Sequence, residues 1–217
     1  MKLGLVTGLG EGGRVSIDME LLREAEDLGF DSIWTSEAWG SDAISTASWI
    51  LAQTTKIKVG TGIIQMSART PAMAAMTAMS LQHLSNDRFI LGIGPSGPQV
   101  IEGWHGMPYG RPLTRTREYI EIIRKIEARD GPLTHDGYHY QIPKTGEGTT
   151  GLGKPLKGIL HSKSPLKIVT GTIAPAGVRV SAEIADGMIP VFMNPDRFDV
   201  FEDALNDGFA KAGGGKS

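Results

Sequence analysis

Residues 88–99 carry the densest run of groups able to hold a ligand. Apolar Phe89-Ile90-Leu91-Gly92-Ile93 empties directly into Gly94-Pro95-Ser96-Gly97-Pro98-Gln99. A strand that ends this way delivers backbone N–H groups to the carboxyl edge of a sheet, so Ser96, Gly97, Pro98 and Gln99 are candidate ligand contacts. Glu102, Trp104 and His105 follow at once, and His105 is the best placed of the five histidines for proton chemistry. Glu37 stands just past a strand-like Ser-Ile-Trp-Thr, where a carboxylate can orient a substrate or move a proton. Gly171, Thr172 and Ile173 run into a helix start at Ala174-Pro175-Ala176-Gly177. Free N–H groups and partial positive charge at such a start favour an anion.

Two phosphate-binding signatures are present only in form. Gly92, Gly94 and Gly97 spell Gly-x-Gly-x-x-Gly. A dinucleotide fingerprint belongs in the first βα turn and opens a helix. This one follows the fourth strand, is interrupted by Pro95 and Pro98, and is predicted to open no helix at Gly97. The glycine-rich first turn, residues 7–13, lacks the spacing. Gly215-Lys216-Ser217 ends like a P-loop, but Ala210 occupies the earlier glycine position and no strand precedes it.

Other functions are bounded by composition. The 217 residues suit one domain with a substantial core, and the net charge of −2 gives no global support for nucleic-acid or anionic-membrane binding. The absence of Cys excludes disulfides, thiolate metal sites and a cysteine nucleophile, and suits a cytoplasmic protein. No His/Asp/Glu set has metal spacing, so no metal is expected. The N-terminus is too short and glycine-rich for a signal peptide, and no apolar run approaches the ~18 residues of a membrane span. A small-molecule substrate remains.

The elements that must position these groups alternate. Strands are predicted at 2–7 (buried), 31–35, 57–64, 89–93, 166–170 and 188–192. Helices are predicted at 16–28 with Ser16 as cap, 42–53, 71–84, 114–128, 175–185 and 195–212 with Asn194 as cap. Met73, Met76 and Met79 are expected to pack in the core. Arg111, Arg115 and Arg117 are expected to cap and solvate their helix. Six consecutive βα units imply a parallel α/β sheet, either open and doubly wound or part of a (β/α)₈ barrel. Residues 130–165 break the rhythm with a small hairpin around Asp136-Gly137 and a long loop. The last residues read as a truncation at a βα boundary.

Taken in order, the strand ends form a series. They are Trp34-Thr-Ser-Glu-Ala-Trp-Gly40, Gly60-Thr-Gly-Ile-Ile-Gln-Met-Ser-Ala-Arg-Thr-Pro71 and residues 91–105. Arg111-Pro-Leu-Thr-Arg-Thr-Arg-Glu-Tyr119 and Ala182-Glu-Ile-Ala-Asp-Gly-Met-Ile-Pro-Val-Phe192 complete it. The series resembles the bacterial-luciferase-like monooxygenase superfamily, in its branch of oxidoreductases using the deazaflavin coenzyme F420. The resemblance covers essentially the whole chain.

It implies a (β/α)₈ TIM barrel with an insertion before strand five, matched by 130–165 within one domain, and a chain two units short. It implies hydride transfer between F420 and a small organic substrate, and a homo-oligomer. By resemblance, Gly62-Ile63 is a strand-three bulge with a non-prolyl cis peptide behind the coenzyme ring. Residues 96–99 wrap the ring and side chain, and Gly171, Thr172, Ile173, Ala176 and Gly177 hold the phosphate. Glu37 sits near the reactive face. Ala38 stands where some relatives have His, and Arg179 follows where many have Lys. One alternative is an FMN-dependent monooxygenase using O₂. Another is an inactive barrel fragment that acts as an association unit, because missing strands leave open edges.

Overall fold

The computed structural model describes residues 2–7, 13–191, 193–213 and 215–216. Its strands are β1 (Gly4–Thr7), β2 (Ser32–Thr35), β3 (Lys58–Thr61), β4 (Ile64–Gln65), β5 (Phe89–Gly94), β6 (His135–Asp136), β7 (Gln141–Ile142), β8 (Lys167–Gly171) and β9 (Gly187–Ile189). Its helices are α1 (Met19–Asp27), α2 (Ala43–Gln53), α3 (Pro71–Ser85), α4 (Pro98–Gly103), α5 (Pro112–Ala128), α6 (Pro175–Ile184) and α7 (Glu202–Lys211).

The main sheet is parallel throughout, in the order β1-β2-β3-β5-β8-β9, with β4 continuing beyond β3 against β5. This order decides between the two closures left open above. A doubly wound sheet reverses its strand order at a switch point, whereas here every crossover steps the same way, as barrel winding requires. Among the described residues the chain forms a curled, barrel-type parallel sheet of seven strands, with β4 continuing the line of β3.

Side chains alternate across each strand. Ile33, Val59, Leu91, Ile93 and Ile168 face the helices and are buried with Ala47 and Ile50 of α2, Ala75 and Ala78 of α3 and Tyr119 and Ile123 of α5. Small alanines let α2 and α3 approach the sheet closely. The opposite face, which a barrel turns inward, carries Trp34, Gly60, Gly92, Gly94 and Gly171. A Cβ at Gly60 would run into the Trp34 indole, and one at Gly92 would overlap the carbonyl oxygen of Thr61. Two glycines of the apparent dinucleotide fingerprint therefore lie inside a strand, where the barrel interior needs them.

Several expectations are corrected. β1 is an edge strand, with Val6 69% exposed, because among the described residues only β2 pairs with it. Asp18, not Ser16, caps α1, accepting from Leu21 N at 3.0 Å. The third strand does not run unbroken over 57–64 but is interrupted at the implied Gly62-Ile63 bulge, ending at Thr61 and resuming at Ile64. A helix does open at Gly97: α4 starts with Pro98, whose fixed φ and missing N–H suit a first helical position. Residues 195–201 form a 3₁₀ segment capped by Asn194, and only Glu202–Lys211 is α-helical. Met79 is buried, but Met73 and Met76 are 52% and 57% exposed, because three-residue spacing drifts off the buried stripe of α3. Arg115 is buried, and Arg117 makes a forked ion pair with Glu183 on α6 at 2.6 and 2.8 Å, so neither solvates α5. Residues 8–12, Phe192 and Ser217 lie outside the described residues.

Candidate active site

The carboxyl ends of the strands gather a platform, an anion-favouring turn and a polar brace. The platform starts at the break between β3 and β4, where the Gly62–Ile63 peptide bond is cis. Gly62 N donates to Thr35 O at 2.6 Å, fixing the break against β2. The Ile63 side chain lies over two glycines. A Cβ built on Gly94 or on Gly171 would stand 2.9 Å from an Ile63 carbon. Beside it Trp34 covers Gly60, and its indole N–H donates to Ser32 Oγ at 3.0 Å. Apolar side chains on a glycine floor form a shallow surface suited to a flat ring.

The turn after β8 adjoins this surface. Thr172 N donates to Ile189 O at 3.3 Å, and Gly177 packs so closely against the Thr172 hydroxyl that no side chain fits there. Ile173 is exposed. Side chains cap α1, α2 and α3 through Asp18, Asp42 and Thr70, but none caps α4, α5, α7 or α6, whose N-cap is Ala174. The start of α6, with Ala176 and Gly177 in its first turn, therefore keeps the partial positive charge that attracts an anion. Arg179 does not add to it, because its guanidinium pairs with Asp207 on α7.

Between platform and solvent runs the loop from Gly94 to α4. Ser96 adopts a left-handed backbone, φ 58°, and its carbonyl accepts from Tyr109 Oη at 3.2 Å. Gly97 O accepts from Val100 N and Ile101 N, and buried Ile101 anchors the turn that presents Pro98 and Gln99.

Glu37 is placed differently from a free loop carboxylate. Its side chain is 7% exposed. One oxygen accepts from Gln65 N at 3.1 Å and Arg69 Nη1 at 2.7 Å, and the other accepts from Ala43 N at 3.2 Å. Arg69 also pairs with Asp42. Burial opposes the charge of Asp42, but hydrogen bonds from Ser45 and the Arg69 guanidinium outweigh it and hold its carboxyl below the ordinary range. These contacts lock the β2–α2 loop to the start of α3.

His105 belongs to the next layer. Its Nε2 lies 2.7 Å from Gln65 Oε1, while Gln65 Nε2 donates to Ala38 O at 2.6 Å. His105 also lines a 670 Å³ cavity with Arg69, Arg115, Tyr138, His139 and Tyr140. No carboxylate lines this cavity among the described residues. Arg115 reaches Ser67 Oγ, Pro108 O at 2.9 Å and His139 Nδ1 at 3.2 Å. Burial, with Arg115 close by, pushes the His139 imidazole below its usual pKa. A larger groove of 1120 Å³ lies elsewhere, beside β9 and between α6 and α7.

The structure thus gathers Gly62, Ile63, Gly171, Thr172, Ala176 and Gly177 around one surface, and sets His105 and Glu37 either side of Gln65. Sequence reasoning did not single out Gln65, Arg69 and His139, and it read Arg115 only as capping and solvating its helix. Gln65 carried a faint signal, as a polar residue in an apolar strand. Arg115 was read on its own helix, and a helix read alone does not show which loop covers the face it occupies.

Winding and site together place the chain in the (β/α)-barrel class. It belongs to the luciferase-like monooxygenase family, whose model matches residues 6–217. The chain is 48% identical, over all its length, to a Mycobacterium tuberculosis protein provisionally described as a coenzyme F420-dependent oxidoreductase. The fold matches a coenzyme F420-dependent tetrahydromethanopterin reductase from Methanopyrus kandleri, at 24% identity and TM-score 0.78 over 98% of this chain and 62% of that one. It also matches the FMN complex of a type II Baeyer-Villiger monooxygenase from Pseudomonas putida, at 19% identity and TM-score 0.73 over 96% and 63%. The chain spans 63% of the length of the M. tuberculosis relative.

Proposed function

We propose that the chain carries the coenzyme site of an F420-dependent oxidoreductase acting on a small organic substrate. The observation that carries this reading is the junction of Ile63, seated over Gly94 and Gly171, with the uncapped start of α6. A ring coenzyme bearing a phosphate needs an apolar platform and an anion site within one crevice. The 48% identity to the M. tuberculosis relative supports the deazaflavin as that coenzyme. When bound, it would supply or accept the hydride.

This chain's own residues would bind and orient. Gly62, Ile63 and Trp34 back the ring. Ser96, Gly97, Pro98 and Gln99 lie along its edge. Gly171, Thr172, Ile173, Ala176 and Gly177 receive the phosphate. His105 handles the proton, and Glu37, its oxygens engaged by the scaffold, keeps the loops in register. An FMN reading is supported by the fold shared with the P. putida enzyme. A cytoplasmic, homo-oligomeric enzyme fits this reading.

Titrating the chain in parallel with oxidised F420 and with FMN tests it, using tryptophan emission as the readout. Saturable quenching at micromolar F420, with FMN clearly weaker, is expected. A preference for FMN would move the assignment to a flavin enzyme, and no saturable response to either would overturn the coenzyme site in this chain.

A further inference from the structure

We propose that Gln65 is the positioning residue for His105. It holds the imidazole in the tautomer protonated on Nε2 and leaves Nδ1 as the nitrogen that exchanges a proton with a ligand. The inference rests on the reading of His105 as the proton-handling residue, but its test does not need the coenzyme.

The argument is one of donors and acceptors. Ala38 O, a carbonyl oxygen, can only accept. The Gln65 atom 2.6 Å from it must therefore be the amide nitrogen, since a flipped amide would set two oxygens against each other. That fixes the other end of the amide as oxygen. Gln65 Oε1 can only accept, so His105 Nε2, 2.7 Å away, must carry a proton. A neutral imidazole has one N–H, which leaves Nδ1 as the lone-pair nitrogen. The backbone that carries the ring is also held, because His105 N donates to Val100 O at 3.2 Å.

Gln65 is itself poorly able to move. It is 0% exposed, its register in β4 is opposite Gly94 of β5, and its N–H is held by Glu37 Oε1 at 3.1 Å. One side chain thus ties β4 to the loop carrying Ala38 and to the loop carrying His105. Each comes from a different crossover, so the brace exists only in the assembled sheet. The charged and titratable groups sharing the cavity with His105 are Arg69, Arg115, Tyr138, His139 and Tyr140. Glu37 connects to His105 through Gln65. Fixing the tautomer selects which nitrogen can accept, the orienting role that second partners play for functional histidines.

The test is long-range ¹H–¹⁵N NMR on the chain labelled with ¹⁵N-histidine, with His105 assigned from the signals lost in His105→Gln. The expected result for the unaltered chain is the Nε2–H pattern for neutral His105. Gln65→Leu removes the acceptor and should give mixed tautomers, with the signals of His135 and His139 unchanged as the check on folding. An Nδ1–H pattern in the unaltered chain overturns the proposal without any variant, and so does an unshifted tautomer in folded Gln65→Leu. A chain with the expected tautomer that binds neither F420 nor FMN would sink the coenzyme reading and leave the brace standing.

Discussion

Gly92 has no room for a methyl group, because a Cβ there would overlap Thr61 O, a backbone atom that cannot swing aside. Gly92→Ala should therefore lower stability by about 3 kcal/mol in urea denaturation. Gly60→Ala should cost less and instead displace the Trp34 ring, seen as a shift in tryptophan emission, because a side chain can rotate away. Glu37→Gln tests the scaffold role. It leaves Arg69, which is mostly buried, with Asp42 alone, and turns one acceptor into a donor facing other donors. A loss of about 2–3 kcal/mol is expected, with the affinity for coenzyme falling only as far as the loops loosen. An unchanged denaturation midpoint would return Glu37 to the role of a free carboxylate. The glycines at 92 and 94 show how far single residues can be read. Their need for space is visible as glycine, but whether a phosphate or a neighbouring strand fills that space is not.

The β6–β7 hairpin, the regular part of residues 130–165, is pinned by one carboxylate. Glu118 accepts from the backbone N–H of Tyr138, His139 and Tyr140 at 2.9–3.0 Å. Burial alone would raise its pKa, but these three amides and the neighbouring His135 outweigh it and hold the carboxyl below its usual value. A carboxyl whose folded pKa is depressed stabilises fully above its unfolded value, about 4.3, and loses that contribution as pH falls through the folded value. Hydrogen-exchange protection of Tyr138, His139 and Tyr140, corrected for intrinsic rates, should therefore drop below about pH 4. Glu118→Gln should remove that dependence and cost about 1–3 kcal/mol at neutral pH. Protection unaffected by this variant would show that the hairpin is held by something else. At this scale the sequence was most legible in α3 and α6, where Pro71 and Pro175 mark the first turn. It was least legible at α4, whose six residues are too few for a hydrophobic period to show.

For the molecule as a whole, the winding leaves β1 and β9 each paired on one side only among the described residues. Unpaired parallel edges are templates for another chain. Beside β9 the 1120 Å³ groove is lined by Met188, Phe198, Leu205 and Phe209. Trp49, Met73 and Met76 add apolar surface on α2 and α3. The chain should therefore self-associate, giving a light-scattering mass of at least two copies on size exclusion. A dispersed monomer at tens of micromolar would show that the edges are tolerated in water.

Much of this protein was present in the order of its residues. Alternating apolar strands and capped helices dictate six βα units, and glycines at strand ends mark where backbone must come close. The ordered strand ends, read as a resemblance, pointed to the family and to the break at Gly62–Ile63. Periodicity describes one element at a time, so it could not separate a doubly wound sheet from a barrel. Only the uniform stepping from β1 to β9 decides that. Nor could it show that Arg115 is buried, that Glu37 is fully engaged, or that Gln65 braces His105. Each is a contact between residues 27 to 48 positions apart in the chain, which exists only after separate crossovers have docked on one sheet.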